Sequence, residues 1–113
     1  MMSTVFGLII QGKIPSKKVF ENERILAIED IHPMAPVHIL IMPKKEIANL
    51  QSLEPHDYPL LGEIVQVAQQ IAEEKGIADG YRLVTNNGSD AGQTIFHLHF
   101  HLIGGKVLSG KIG

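Results

Sequence analysis

The chain has 113 residues, room for one domain, and is long enough to bury a core without disulfide or metal staples. Its 10 Lys and Arg against 12 Asp and Glu give a formal net charge of -2, which argues against a broad basic nucleic-acid surface but leaves room for one locally bound phosphate. There is no cysteine, so disulfides, thiolate metal sites and cysteine nucleophiles are excluded, whereas six histidines are conspicuous in so short a chain.

No stretch approaches the ~20 apolar residues of a membrane span. The apolar start, Met1 to Ile10, carries no basic flank and no small-residue cleavage pattern. It reads as structure rather than a signal peptide, and the expected location is cytoplasmic. Val5, Phe6, Ile9 and Ile10 recur at helical spacing, with Ser3 or Thr4 as N-cap and Gly12 just past the end, although a short β-branched run also suits a strand. Lys17 to Glu21 and Arg24 to Glu29 read as two strands joined by a tight turn at Asn22-Glu23. Two prolines make Asp30 to Pro36 a loop. Val37 to Met42 is a strand stopped by Pro43, and Lys44 to Leu53 a turn of helix and loop.

The clearest element follows. Leu60, Leu61, Ile64, Val67, Ala68, Ile71 and Ala72 share one face at helical spacing, and Gly76 sits where a helix C-terminus takes glycine. Tyr81 to Thr85 is a strand, Asn86 to Gly92 a loop rich in Asn, Gly, Ser and Asp, and Thr94 to Ile103 a strand broken by Gly104-Gly105. Strands grouped in hairpins around one long helix predict an α+β fold with an antiparallel sheet.

The informative segment is His97-Leu98-His99-Phe100-His101-Leu102-Ile103. Strand alternation predicts His97, His99 and His101 on one face and Leu98, Phe100 and Leu102 on the other, toward the long helix. Three alternating imidazoles lack a packing rationale, and three chemical readings compete. A metal could take two of them plus His38, which leaves the third surplus. Alternatively, a middle imidazole attacks phosphorus and a flanking one protonates the leaving group, for which side chains ~7 Å apart are suitably placed to flank a phosphate. The third reading is a nucleotide-sensing surface without turnover. The glycine-containing loop before the histidines, with Gln93 and Thr94 as added donors, supports the second. A neutral nucleophilic histidine predicts an acid limb near ~6.5 in kcat/KM, subject to shifts by its neighbours.

The segment fits the histidine triad motif, His-φ-His-φ-His-φ-φ with φ apolar. The resemblance is to the histidine triad (HIT) family, Hint branch, and it extends over nearly the whole chain. It includes Phe6 to Ile14, Asp30-Ile31 with Pro33, Ala35-Pro36 and His38, Pro43-Lys44-Lys45, Tyr81-Arg82, Asn86, Gly88-Ser89-Asp90 and Gly92-Gln93. This resemblance implies a single HIT domain over residues 1–113, with a five-stranded antiparallel sheet, one long helix and a short N-terminal helix. It implies a homodimer that joins two sheets into one of ten strands. The implied activity is metal-independent hydrolysis of purine nucleoside 5′-phosphoramidates and related adenylyl conjugates of AMP or GMP, without a cofactor. The alternatives are a non-catalytic nucleotide-binding module and a metal-dependent hydrolase.

Carried over by position, the resemblance implies that His99 is the nucleophile and becomes nucleotidylated, and that His101 contacts the phosphate or leaving group. It makes His97 and His38 the support that orients His99. Asp30, with Ile31 beside it, would bind the ribose hydroxyls. Asn86, Gly92, Gln93 and Thr94 would line the phosphate, and Phe6, Ile9 and Ile28 would form the purine slot. Thr94 stands where relatives often have serine, and the tail after Gly105 lacks the tryptophan-containing end of animal relatives.

Overall fold

The computed structural model describes residues 4–111; Ser3, the alternative N-cap, and the last two residues of the tail lie outside them. Helix α1 (Val5–Ile10) starts where the Thr4 hydroxyl accepts a hydrogen bond from the Gly7 amide at 3.0 Å. It is helical rather than extended, and Gly12 follows it at φ +77°. Strands β1 (Lys18–Glu21) and β2 (Ile25–Glu29) are joined by a turn in which the Asn22 carboxamide oxygen accepts from the amides of Arg24 and Ile25. Strand β3 (Val37–Pro43) carries the Ile- and Leu-rich run.

Single 3-10 turns at Leu50–Ser52 and Pro55–Asp57 lead into the long helix α2 (Tyr58–Glu74), where Pro59 is accommodated in the first turn. The amides of Gly76 and Ile77 bond back to the carbonyls of Glu73 and Ala72, which closes the helix in the way its glycine predicts. Strands β4 (Tyr81–Val84) and β5 (Phe100–Gly104) complete one sheet of order β1-β2-β3-β5-β4, antiparallel at every pair. None of the described helices is long and apolar enough to cross a membrane.

Both faces of the sheet are covered. Ile64, Val67, Ala68, Ile71 and Ala72 of α2 pack on Ile25, Ala27, Ile39, Ile41 and Leu102. On the opposite face Phe6 and Ile9 of α1 pack on Leu26, Ile28, Leu40 and Met42. Register places Ile39 beside Leu102, so that Leu102 faces α2 as expected. Leu40 lies beside His101, so the histidine face is the one that α1 covers. That face is therefore a second core layer.

The two sheet edges differ. β1 carries a register shift between Lys18 and Phe20, and ion pairs link Lys18 and Lys44 to Glu21 and Lys17 to Glu29. These devices blunt a strand edge. β4 has four half-buried residues and, among the described residues, no ion pair along it.

The predicted strand over Thr94 to Ile103 is too long. Only its second half is β5, because residues 94–99 are held by partners outside the ladder. The Leu98 amide donates to the Ile47 carbonyl, the His97 ring to the Pro43 carbonyl, and the Thr85 hydroxyl to the His99 carbonyl.

Candidate active site

The geometry begins with hydrogen-bond polarity. A carbonyl only accepts, so the contact of 2.7 Å between His99 Nδ1 and the His97 carbonyl puts the proton on Nδ1. In the neutral ring Nε2 then keeps its lone pair. The His38 ring accepts the Met34 amide on Nδ1 at 3.1 Å, so a neutral His38 carries its proton on Nε2. That proton is donated to His101 Nδ1 at 2.9 Å, which leaves the His101 proton on Nε2. Asp30 Oδ2 lies 3.4 Å from the same His38 nitrogen, and Asp30 Oδ1 accepts the His32 amide.

These side chains line one cavity of about 460 Å³ under α1. Every nucleotide-site residue named above lies on its wall: Phe6, Ile9, Ile28, Asp30, Ile31, Asn86, Gly92, Gln93, Thr94, His99 and His101. His38 does too. Register explains part of this convergence, since His38 and Leu40 on β3 project to the same face as His101 on β5. Gly92, at φ +89°, and the 3-10 turn Ser89–Ala91 bring the loop backbone back to the wall. The Phe6 ring stands edge-on to His99 with 4.8 Å between centroids, and His99 and His101 are 5.2 Å apart.

Three sequence expectations need correction. His97 does not face the cavity. It is fully buried, its Nε2–H donates to the Pro43 carbonyl at 2.7 Å, and its Nδ1 has no partner among the described residues. It holds His99 through its backbone carbonyl rather than its ring. The His38 ring supports His101, not His99. Gln93 is also committed elsewhere. Its amide nitrogen donates to the carbonyls of Ala48 and Ile95, and its oxygen accepts from the Gly88 amide and the Asn49 side chain. With 4 % of its surface exposed, Gln93 ties the loop together, and its side-chain donors are spent inside the protein.

Sequence reasoning missed Val5, Glu29, His32, Met34, Leu40 and Ile95, which also line the cavity. Two of them had a signal available, Val5 by its place one residue before Phe6 and His32 by its place two residues after Asp30. Thr85, whose hydroxyl anchors the His99 carbonyl at 2.7 Å, had none.

Burial sets the electrostatics. His99 is held below the ordinary histidine range by desolvation, which its bond to the His97 carbonyl opposes. His101 is lowered to about 4 by burial first, then by the neighbouring His99 and His38 rings. Burial lowers His97 as well. All three shifts favour the neutral rings of His97, His99 and His101 at pH 7, in keeping with the tautomers of His99 and His101.

Two groupings of side chains come within metal-ligating reach among the described residues. In Asp30, His38 and His101 the two ring nitrogens already share a hydrogen bond, and His99 takes no part. In Glu54, His56 and Asp57 the Asp57 carboxylate already accepts Lys45 at 2.5 Å.

Comparison with known proteins adds a family. The model of the HIT domain matches residues 11–108. A HIT-like protein of Chlamydia pneumoniae is 52% identical over 105 residues, which cover 93% of this chain and 96% of that one. The crystal structure of a HIT family hydrolase from Legionella pneumophila Philadelphia 1 superposes with a TM-score of 0.95 at 43% identity, over 98% of this chain and 100% of that one. A histidine triad nucleotide-binding protein from Candida albicans gives a TM-score of 0.80 at 31% identity, over 98% and 87% of the two chains.

Proposed function

The chain belongs to the HIT domain family, and on that premise we propose that residues 1–113 act as a single-domain hydrolase of the Hint branch. It cleaves purine nucleoside 5′-phosphoramidates and related adenylyl conjugates. The observation that carries this reading is the tautomer of His99. Its Nδ1–H is spent on the His97 carbonyl, so a nucleophilic Nε2 is left on a residue that lines a 460 Å³ cavity.

The chemistry runs in two halves. His99 Nε2 attacks the α-phosphorus, the P–N pair leaves with nitrogen, and nitrogen takes up one proton from solvent to depart as the amine. The His97 carbonyl stabilises the positive charge that grows on the imidazole. Water then attacks phosphorus, the P–Nε2 bond breaks, the nucleoside monophosphate leaves, and one proton returns to solvent. The His101 Nε2–H is the N–H available to the phosphate oxygens or the leaving nitrogen. The Asp30 carboxylate, with Ile31 beside it, accepts the ribose hydroxyls, the Asn86 to Thr94 loop cradles the phosphate by its backbone, and Phe6, Ile9 and Ile28 cover the purine.

The same reading gives a cytoplasmic homodimer. The unblunted edge at β4, against the charged and bulged edge at β1, supports pairing through β4 into a ten-stranded sheet.

The test is AMP release from adenosine 5′-phosphoramidate in EDTA, with His99→Ala alongside. The wild type turns over without added metal. The variant loses at least about 10³-fold, the scale of a lost nucleophile, and no AMP-bearing enzyme is seen by mass spectrometry. Loss of activity in EDTA with recovery on zinc would support the metal-dependent reading instead. Tight AMP binding without turnover would support a nucleotide-binding module.

A further inference from the structure

His99 is held from two directions. Its Nδ1–H reaches the His97 carbonyl, and the other end of that same peptide group, the Leu98 amide, donates to the Ile47 carbonyl at 2.6 Å. A peptide bound at its N–H is the stronger acceptor at its C=O, so Ile47 supports the bond that fixes the His99 tautomer. From the other direction the Thr85 hydroxyl donates to the His99 carbonyl at 2.7 Å. It thereby holds the planar peptide unit between His99 and Phe100, where β5 begins. Among the described residues this is the one hydrogen bond to His99 made by another residue's side chain.

The place of Thr85 in the chain gives that bond a second consequence. Thr85 follows β4, whose last pair in register is Val84 with His101. It precedes Asn86, which lines the nucleotide cavity and opens the loop that runs to Thr94. Thr85 itself is half-buried and is not part of the cavity wall. Its hydroxyl therefore ties the root of the loop to the backbone of His99. Gln93 braces the far end of the loop, so the near end depends on Thr85. A β-branched side chain has few χ1 states to lose, which makes it a stiff tie.

We propose that Thr85 is a positioning residue, which sets the distance between His99 Nε2 and the loop wall where the phosphate sits. The inference rests on the reaction proposed above. Thr85 touches neither substrate nor the reacting atoms and acts through the His99 carbonyl. Its loss leaves the pocket able to bind a nucleotide, but the attacking nitrogen is out of line with phosphorus. The effect therefore falls on turnover rather than on binding.

The test compares Thr85→Val, which removes the hydroxyl and keeps the branched shape, with Thr85→Ser, which keeps the hydroxyl. Thr85→Ala repeats the deletion with a smaller side chain, in case Thr85→Val disturbs the fold. Turnover of adenosine 5′-phosphoramidate, AMP affinity and the NMR signal of the His99 Nδ1–H are measured for each. In Thr85→Val and Thr85→Ala kcat falls about 10- to 100-fold, the scale of a reacting group displaced by up to ~1 Å. KM and AMP affinity stay unchanged, Thr85→Ser recovers most of kcat, and the Nδ1–H exchanges with solvent faster wherever the hydroxyl is missing. Wild-type kcat in both hydroxyl-free variants overturns the proposal. So does a loss that weakens AMP binding to the same degree, or one that Thr85→Ser fails to restore, since either marks a general structural role. Failure of the wild type to release AMP overturns the reaction instead. Nδ1–H exchange then decides alone, and a rate equal in wild type and Thr85→Val overturns the positioning of His99.

Discussion

His99 and Gln93 illustrate how a side chain's spare hydrogen-bonding capacity decides its role. His99 has one nitrogen bound and one left over, whereas Gln93 has its amide fully engaged within the protein. Burial lowers His99, so the neutral form that the proposed attack requires persists to more acid pH than in a free imidazole. The acid limb of kcat/KM therefore falls below the ~6.5 of an unperturbed histidine. A pH–rate profile on adenosine 5′-phosphoramidate checks this, and a limb above ~6.5 would contradict the desolvated site. Replacing Gln93 with Leu strands the Gly88 amide and the carbonyls of Ala48 and Ile95. The expected loss is about 3 kcal/mol in urea unfolding, the scale of buried groups left unpaired. A near-neutral Gln93→Leu would return Gln93 to the role of a phosphate contact.

The elements divide by how local their causes are. α2 was legible because the apolar stripe from Leu60 to Ala72 and the glycine at Gly76 act within a few residues of the helix they shape, whereas the short β-branched run of α1 also suited a strand and only the family resemblance favoured the helix that Thr4 caps. The stretch before β5 was not legible. Its alternating pattern reads as strand, but its backbone is held by Ile47 and Thr85, remote in sequence, and by the ring of His97 reaching Pro43. The same remoteness hid the partner of the His97 ring, whose alternation with His99 and His101 placed it on their face and made its ring, rather than its carbonyl, the expected support of His99. Gly104 at the end of β5 is a further nonlocal constraint. A Cβ there would lie 2.8 Å from Ile77 Cδ1 and 3.1 Å from the Gly80 carbonyl oxygen. Gly104→Ala is expected to cost about 1–3 kcal/mol by overpacking, read as a lower urea midpoint.

For the whole molecule the buried histidines make stability depend on pH. An unfolded histidine takes up its proton near ~6.5, whereas His97, His99 and His101 resist it in the fold. Their contribution is complete above ~6.5 and is lost as pH falls toward the folded values, about 4 for His101. Carboxylates enter later. Glu21, lowered to about 2 by Lys18 and Lys44, and Asp57, lowered by Lys45, lose their contribution only as pH drops through the ordinary carboxylate range. Urea midpoints are expected to decline between pH 7.5 and 5, ahead of the main loss from Glu21 and Asp57. A flat profile there would mean that the fold accepts histidine protons freely.

The unequal sheet edges bear on how far strand addition can proceed. Two copies joined through β4 would expose only their β1 edges outward, each bulged and salted with Lys and Glu. In that proposed pair, growth by strand addition would stop at two, because among the described strands no compatible edge would remain to recruit a third chain. A single protected border thus separates a closed pair from an open-ended fibre.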